Sequence, residues 1–76
     1  MAELLEWLAR QLVDDPDAVR VETEEREDAV VFHLHVASDD VGKVIGRQGR
    51  IARALRSVVR AAGARADRRF LLEIAD

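Results

Sequence analysis

The stretch Val44-Ile45-Gly46-Arg47-Gln48-Gly49-Arg50-Ile51 decides how the rest of this sequence is read. Apolar residues lead into it and out of it, so both ends are anchored to a core while the middle is left in water. One helix ends and the next begins within about four residues. Glycine at each end of the turn allows backbone angles closed to other residues and removes the Cβ atoms that would hold a ligand away. The helix that follows directs its free N–H groups and the positive end of its dipole at the corner. Such a corner suits an anion, and in particular a phosphate that has to press close. Arg47 at the tip supplies a forked donor for phosphate oxygens, and Gln48 can both donate and accept. Arg50 and Arg53 widen the positive rim over the first turns of the next helix.

Upstream, Leu4, Leu5, Leu8 and Leu12 fall at helical spacing within residues 2–13, with Trp7 off the centre of the stripe. Pro16, in Asp14-Asp15-Pro16-Asp17, ends that helix. Val19, Val21 and Thr23 alternate with Arg20, Glu22 and Glu24 as a half-buried strand, and Glu27-Asp28 is a turn. Val30, Phe32, Leu34 and Val36 alternate with Val31, His33 and His35 as a second strand. Ser38 is expected to cap a short helix, with Asp39 and Asp40 in its positive first turn and Val41, Val44 and Ile45 on its buried face. Downstream, Ile51, Ala54, Leu55, Val58, Val59 and Ala62 define a long amphipathic helix. Gly63 is expected as its left-handed C-cap. Phe70, Leu72 and Ile74 then alternate with Leu71 and Glu73 in a last strand.

The order α-β-β-α-α-β predicts an α+β fold of two layers, with the helices covering one face of a three-stranded mixed sheet. The first two strands form a hairpin, the third runs parallel to one of them, and Val31 and Leu71 fall on the uncovered face. Phe32 and Phe70 belong to the core.

At 76 residues the chain is expected to be one domain, 1–76. A chain this short buries only about 60% of its unfolded surface, so support from a partner or a second copy is expected. With no cysteine there is no disulfide framework, no thiol nucleophile and no cysteine-ligated metal. No apolar run reaches the ~18 residues of a membrane span. Glu3 and Glu6 interrupt anything like a secretory leader, so neither a secretory signal nor a membrane partner is expected. The net charge of −3 conceals a division: residues 1–42 hold three arginines against twelve carboxylates, a net of −9, and residues 43–76 hold nine bases against three carboxylates, a net of +6. Such asymmetry points to a polyanionic partner of the second half.

No catalytic constellation emerges. The carboxylates of residues 22–28 form a charge run, and no Ser-His-Asp arrangement is present, so an enzyme is not expected. His33 and His35 share one side of a strand, but Glu73 is the single further ligand in prospect, and structural zinc takes four. Neither a metal nor another cofactor is expected.

Val44–Ile51 matches the VIGxxGxxI signature of KH domains, RNA-binding modules whose GxxG loop clamps about four backbone nucleotides. The element order resembles the type II KH arrangement. The fuller run Asp40–Ala52, followed by Ala54-Leu55-Arg56 and Val58–Ala62, is similar to the bacterial KhpA family of single-KH proteins. The likeness is specific in residues 40–62 and one of pattern alone in residues 1–37. Arg-Gln at the tip, where members often carry Lys-Gln, keeps the charge. The resemblance implies a cytoplasmic RNA-binding protein and RNA chaperone, a homodimer or a heterodimer with a KhpB-like KH protein, and in some bacteria a link to cell shape and cell wall biogenesis. It implies single-stranded RNA held at Lys43, Ile45, Gly46, Arg47, Gln48, Gly49, Arg50 and Arg53. Bases would lie on an apolar groove, for which Val41, Val44 and Ile51 are candidates, although plain core packing suits each as well. Arg65, Arg68 and Arg69 could lengthen the track, and Arg56 and Arg60 lie on the outer face of the long helix. Two readings stay open beside this one: a protein-interaction module with a vestigial turn, and a single-stranded DNA binder.

Overall fold

The computed structural model describes residues 1–75. Helix α1 (Ala2–Leu12) leads through a single 3₁₀ turn at Pro16–Ala18 to strand β1 (Arg20–Glu25). Strand β2 (Val30–His35) returns antiparallel to it, pairing Arg20 with His35 and Glu25 with Val30. A 3₁₀ turn at Ser38–Asp40 opens helix α2 (Val41–Ile45), another at Arg47–Gly49 opens helix α3 (Arg50–Arg65), and strand β3 (Phe70–Ala75) closes the fold. The sheet order is β1-β2-β3, with β3 parallel to β2. The crossover that a parallel pair requires is supplied by α2 and α3, with the glycine turn between them.

The core lies between the sheet and the helices. Val30, Phe32, Leu34 and Leu72 meet Leu5 and Ala9 of α1, Val44 of α2, and Leu55 and Val59 of α3. Phe32 and Phe70 pack edge to face with ring centroids 5.1 Å apart, as core residues rather than base platforms. Val44 is fully buried in the same cluster, which removes it as a groove floor, while Val41 and Ile51 are half-buried at its margin.

Several expectations are corrected. Ser38 makes no capping bond, and α2 starts instead after Asp40, a buried carboxylate. Gly63 lies inside α3 and not at its end. A left-handed Asp67 (φ 55°) ends the helix in a Schellman motif, with Arg68 N–H donating to the Gly63 carbonyl at 2.7 Å and Asp67 N–H to the Ala64 carbonyl at 3.2 Å. Glycine is needed at 63 for another reason: a Cβ there would sit 2.6 Å from the Arg68 carbonyl oxygen and 2.9 Å from the Phe70 nitrogen. The buried stripe of α3 is Ala52, Leu55, Val59 and Gly63, which turns Ala54 and Val58 outward, Val58 to 42% exposure. On α1, Leu4 is likewise exposed despite its place in the apolar stripe, and Trp7, off the centre of that stripe, is exposed too.

The face of the sheet away from the helices differs from the reading of Val31 as exposed. Val31 has no exposure at all, and Leu71 is half-buried. Charged neighbours cover them. His33 lies 2.8 Å from Glu24 of β1 and 3.3 Å from Glu73 of β3, His35 lies 2.8 Å from Glu22, and Arg26 reaches Glu24 at 2.9 Å. The long stems and rings of these groups roof the valine while their polar ends stay in water.

Candidate nucleic-acid interface

The corner between α2 and α3 has the geometry an anion needs. Gly46 N–H donates to the Gly42 carbonyl at 2.9 Å and closes α2, and the chain then reverses at Gly46 with φ 77° and ψ 174°. Gln48 (φ 57°) and Gly49 (φ 74°) are both left-handed, and Gly49 N–H returns to the Gly46 carbonyl at 3.1 Å. Three of the four residues of the turn therefore carry positive φ, two of them as glycine. No side chain caps α3, and its first amide, that of Arg50, donates to the Arg47 carbonyl. Arg47, Gln48, Arg50 and Arg53 are exposed, Ile45, Gly46 and Gly49 half-buried.

The arginines differ in what already holds them. Arg53 donates to the Gln48 backbone carbonyl at 3.0 Å and Arg50 to the Gln48 side-chain oxygen at 3.3 Å. These bonds brace the strained Gln48 backbone and leave both guanidiniums facing water with donors to spare. Arg47 has no hydrogen-bond or ion-pair partner among the described residues.

Lys43 is placed differently from the other candidates. Its Nζ lies 3.0 Å from Asp14 and 3.2 Å from Asp40, so it ties α2 to the segment after α1. The bond to Asp14, followed by that to Asp40, stabilises the ammonium and raises its pKa. Asp40 is the one buried charged residue described, at 2% exposure. Burial pushes its carboxyl up, but backbone N–H groups of Asp15 (3.0 Å) and Asp14 and the Lys43 ammonium outweigh it, and the net shift is downward. Sequence reading took Asp40 for a helix-dipole residue. The one hint of its actual role was Lys43 three positions on, the spacing of two side chains on one helix face.

Sheet, helices and glycine turn together define the KH class: three strands with β2 and β3 parallel, and a GxxG corner between the two helices that join them. The family model "KhpA/KhpB, KH domain" matches residues 2–74, and the chain belongs to this family. It is 50% identical over 76 residues to the RNA-binding protein KhpA of Halalkalibacterium halodurans, covering all of both chains. It is 47% identical over 74 residues to the RNA-binding protein KhpA of Clostridium acetobutylicum, covering 97% of this chain and 99% of that one. It is 49% identical over 74 residues to the RNA-binding protein KhpA of Treponema pallidum, covering 97% and 92%. No solved structure gives a significant match. Among the described residues, no helix is long and apolar enough to cross a membrane, and no group of three or more potential ligands could hold a metal ion.

Proposed function

We propose that this chain is a single KH domain that binds single-stranded RNA, with the Gly46–Gly49 turn holding backbone phosphates. The observation that carries the reading is the corner itself: a backbone that reverses through three positive φ angles, has no side-chain cap on the helix behind it, and is rimmed by Arg47, Arg50 and Arg53. Relatives named for RNA binding over the whole length of the chain support it. Arg47 takes phosphate oxygens over a turn whose glycines let the strand come close, Arg50 and Arg53 steer and brace, and Ile45 and Ile51 give bases an apolar edge. The phosphate contacts fix register without reading sequence. With Trp7, Phe32 and Phe70 as its aromatics, two of them core, the domain has little stacking surface, so affinity is weak and sequence preference low. An RNA chaperone in the cytoplasm fits such binding, and cell shape and wall synthesis are the processes it would serve.

Weak single sites gain from pairing. Exposed Val58, with Ala54 and Ala61 beside it on α3, favours self-association or pairing with a KhpB-like KH protein. Replacing Arg47 and Gln48 together by Asp tests the turn. RNA binding is lost while circular dichroism and the sedimentation profile stay those of the wild type. A doubly substituted protein that binds RNA as before removes the turn as the site and leaves the protein-interaction reading. Matched RNA and DNA oligomers in competition decide between the two kinds of single strand.

A further inference from the structure

Lys43 is the single lysine of the chain, against eleven arginines, and it sits in the short helix that leads into the glycine turn. Three residues of helix rise, about 4.5 Å, separate it from Gly46. A four-carbon stem spans such a distance and ends in a compact charge that suits a phosphate oxygen. Its ammonium is nevertheless turned to two carboxylates, Asp14 and Asp40.

The two carboxylates are held very differently. Asp40 is buried, with one oxygen accepting the Asp15 N–H at 3.0 Å and the other the Lys43 ammonium at 3.2 Å. That group has no freedom to leave. The Asp14 side chain is 81% exposed and lies 3.0 Å from the ammonium, its one ionic partner among the described residues. Water competes for both halves of an exposed pair, so such a pair exchanges readily. A carboxylate and a phosphodiester also offer an ammonium the same thing, an anionic oxygen for a charge-assisted hydrogen bond. Lysine has three donors, so Asp40 can keep one while another changes acceptor.

We propose that Asp14 is an internal competitor of the RNA backbone: it holds Lys43 out of the phosphate contacts, and Lys43 is a latent contact that joins them once Asp14 is neutralised. The inference rests on the turn holding RNA, and it sets how many phosphates are neutralised there. Asp40, fixed and buried, stays with the ammonium in either state.

The test measures binding of a single-stranded oligouridylate, over salt concentrations around the physiological one, by the wild type, Asp14→Asn, Asp17→Asn, Lys43→Gln and Asp14→Asn/Lys43→Gln. Positions 14 and 17 are exposed, and asparagine at 14 keeps the backbone N–H that Asp40 accepts, so the fold is retained. Asp14→Asn binds up to about fivefold more tightly, the worth of one exposed ion pair, with a slope steeper by about 0.7 for one further phosphate. Asp17→Asn removes the same charge from the same segment without freeing a base, and its gain is smaller. The double variant binds like Lys43→Gln. Wild-type affinity and slope in Asp14→Asn overturn the inference. Equal gains at 14 and 17, or a full gain that survives in the double variant, also overturn it, because they mark long-range charge alone.

A lysine-selective acylating ester gives a second reading without substitution at 43, since modification of the single lysine is read by mass after digestion. RNA slows acylation of Lys43 in Asp14→Asn and leaves it unchanged in the wild type. Equal protection in both proteins, or in neither, counts against the competition. The Arg47→Asp/Gln48→Asp protein keeps the two questions apart. If it loses RNA while Asp14→Asn shows no gain, the turn stands and the latent contact falls. If it binds RNA as before, the turn falls and this inference with it.

Discussion

Alanine at Gly46 and at Gly49 should have different consequences, although both glycines bound the same turn. At Gly49 the backbone is left-handed (φ 74°, ψ 16°), and an added Cβ meets nothing within 4 Å. The cost is therefore backbone strain alone, about 1–2 kcal/mol. At Gly46, ψ is 174° at φ 77°, a region essentially closed to other residues, which costs about 1–3 kcal/mol. The added Cβ would also stand 2.7 Å from Ile51 Cγ1 and 3.0 Å from its Cβ and Cδ1, and such overpacking adds about 1–3 kcal/mol. For a domain whose whole stability is about 5–15 kcal/mol, and whose length puts it near the lower end, Gly46→Ala endangers folding and Gly49→Ala does not. Urea denaturation of both variants gives the comparison. RNA binding by Gly49→Ala then has a separate meaning, because the open space beside that residue is where a phosphate backbone would come close. The folded variant is expected to bind RNA more weakly than the wild type. Equal destabilisation of the two variants refutes the geometry assigned to the turn. Unchanged RNA affinity in Gly49→Ala refutes close approach at that glycine.

Gly63→Ala offers a test of sign: removing a mid-helix glycine ordinarily gains about 1 kcal/mol, but here the Cβ would run into the backbone of Arg68 and Phe70, so a lower melting temperature is expected and a higher one would contradict the crossing of β3 at that point. Lys43→Gln should lower stability, through loss of its bonds to Asp14 and Asp40, and leave the salt slope of RNA binding unchanged; a slope shallower by about 0.7 would return Lys43 to the phosphate contacts. Hydrogen bonds from Arg26 and then His33 hold the Glu24 carboxyl at about 2, below its ordinary 4.5. A carboxylate depressed in this way stabilises the fold fully above its unfolded value and loses that share as pH falls toward the folded one. Acid titration should therefore cost the wild type stability between about pH 4.5 and 2 that Glu24→Gln does not lose, and superimposable curves would contradict the pairing.

The elements were legible because their apolar periods are clean. Val30, Phe32 and Leu34 alternate, and the 50–65 helix repeats its apolar residues at three and four, so strand and helix separate without ambiguity. The glycine turn was legible for a related reason: two glycines, a tip arginine and flanking aliphatics leave few alternatives. What the sequence hid depends on contacts distant along the chain. Gly63 stands close to the helix end, where a C-cap glycine is common, and nothing local shows that the loop after α3 folds back onto it. Asp67 serves in its place as the left-handed residue, a role aspartate fills less often. Val31 looked exposed because alternation assigns faces and not what covers them, and its roof comes from three strands. Asp40 and Lys43 are charged residues in a stretch otherwise consistent with solvent, and the partners that sequester them lie on a segment about 25 positions earlier.

The overall charge still has to be reconciled with a polyanionic ligand, since a chain of net −3 should repel RNA at long range. Range decides the matter. At physiological ionic strength exposed charges are screened beyond about 8 Å, and the molecule measures 34 × 23 × 17 Å. Acids of the β1–β2 region are also largely engaged: Glu22, Glu24, Glu25 and Asp28 lie against His35, Arg26, Arg68 and Arg69. Arg47, Arg56 and Arg60 have no such partners among the described residues, and Arg50 and Arg53 use only part of their donors on Gln48. Pairing within the fold thus engages part of the acidic half, while Arg47, Arg56 and Arg60 stay free of carboxylates among the described residues. Two consequences follow from the same physics. Lowering the salt strengthens binding at the α3 side but also lengthens the reach of the acidic half, so the gain in affinity on dilution should flatten at low ionic strength rather than continue along one slope. Neutralising exposed acids of the first half, such as Glu3 or Asp17, should then raise affinity more at low salt than near physiological salt.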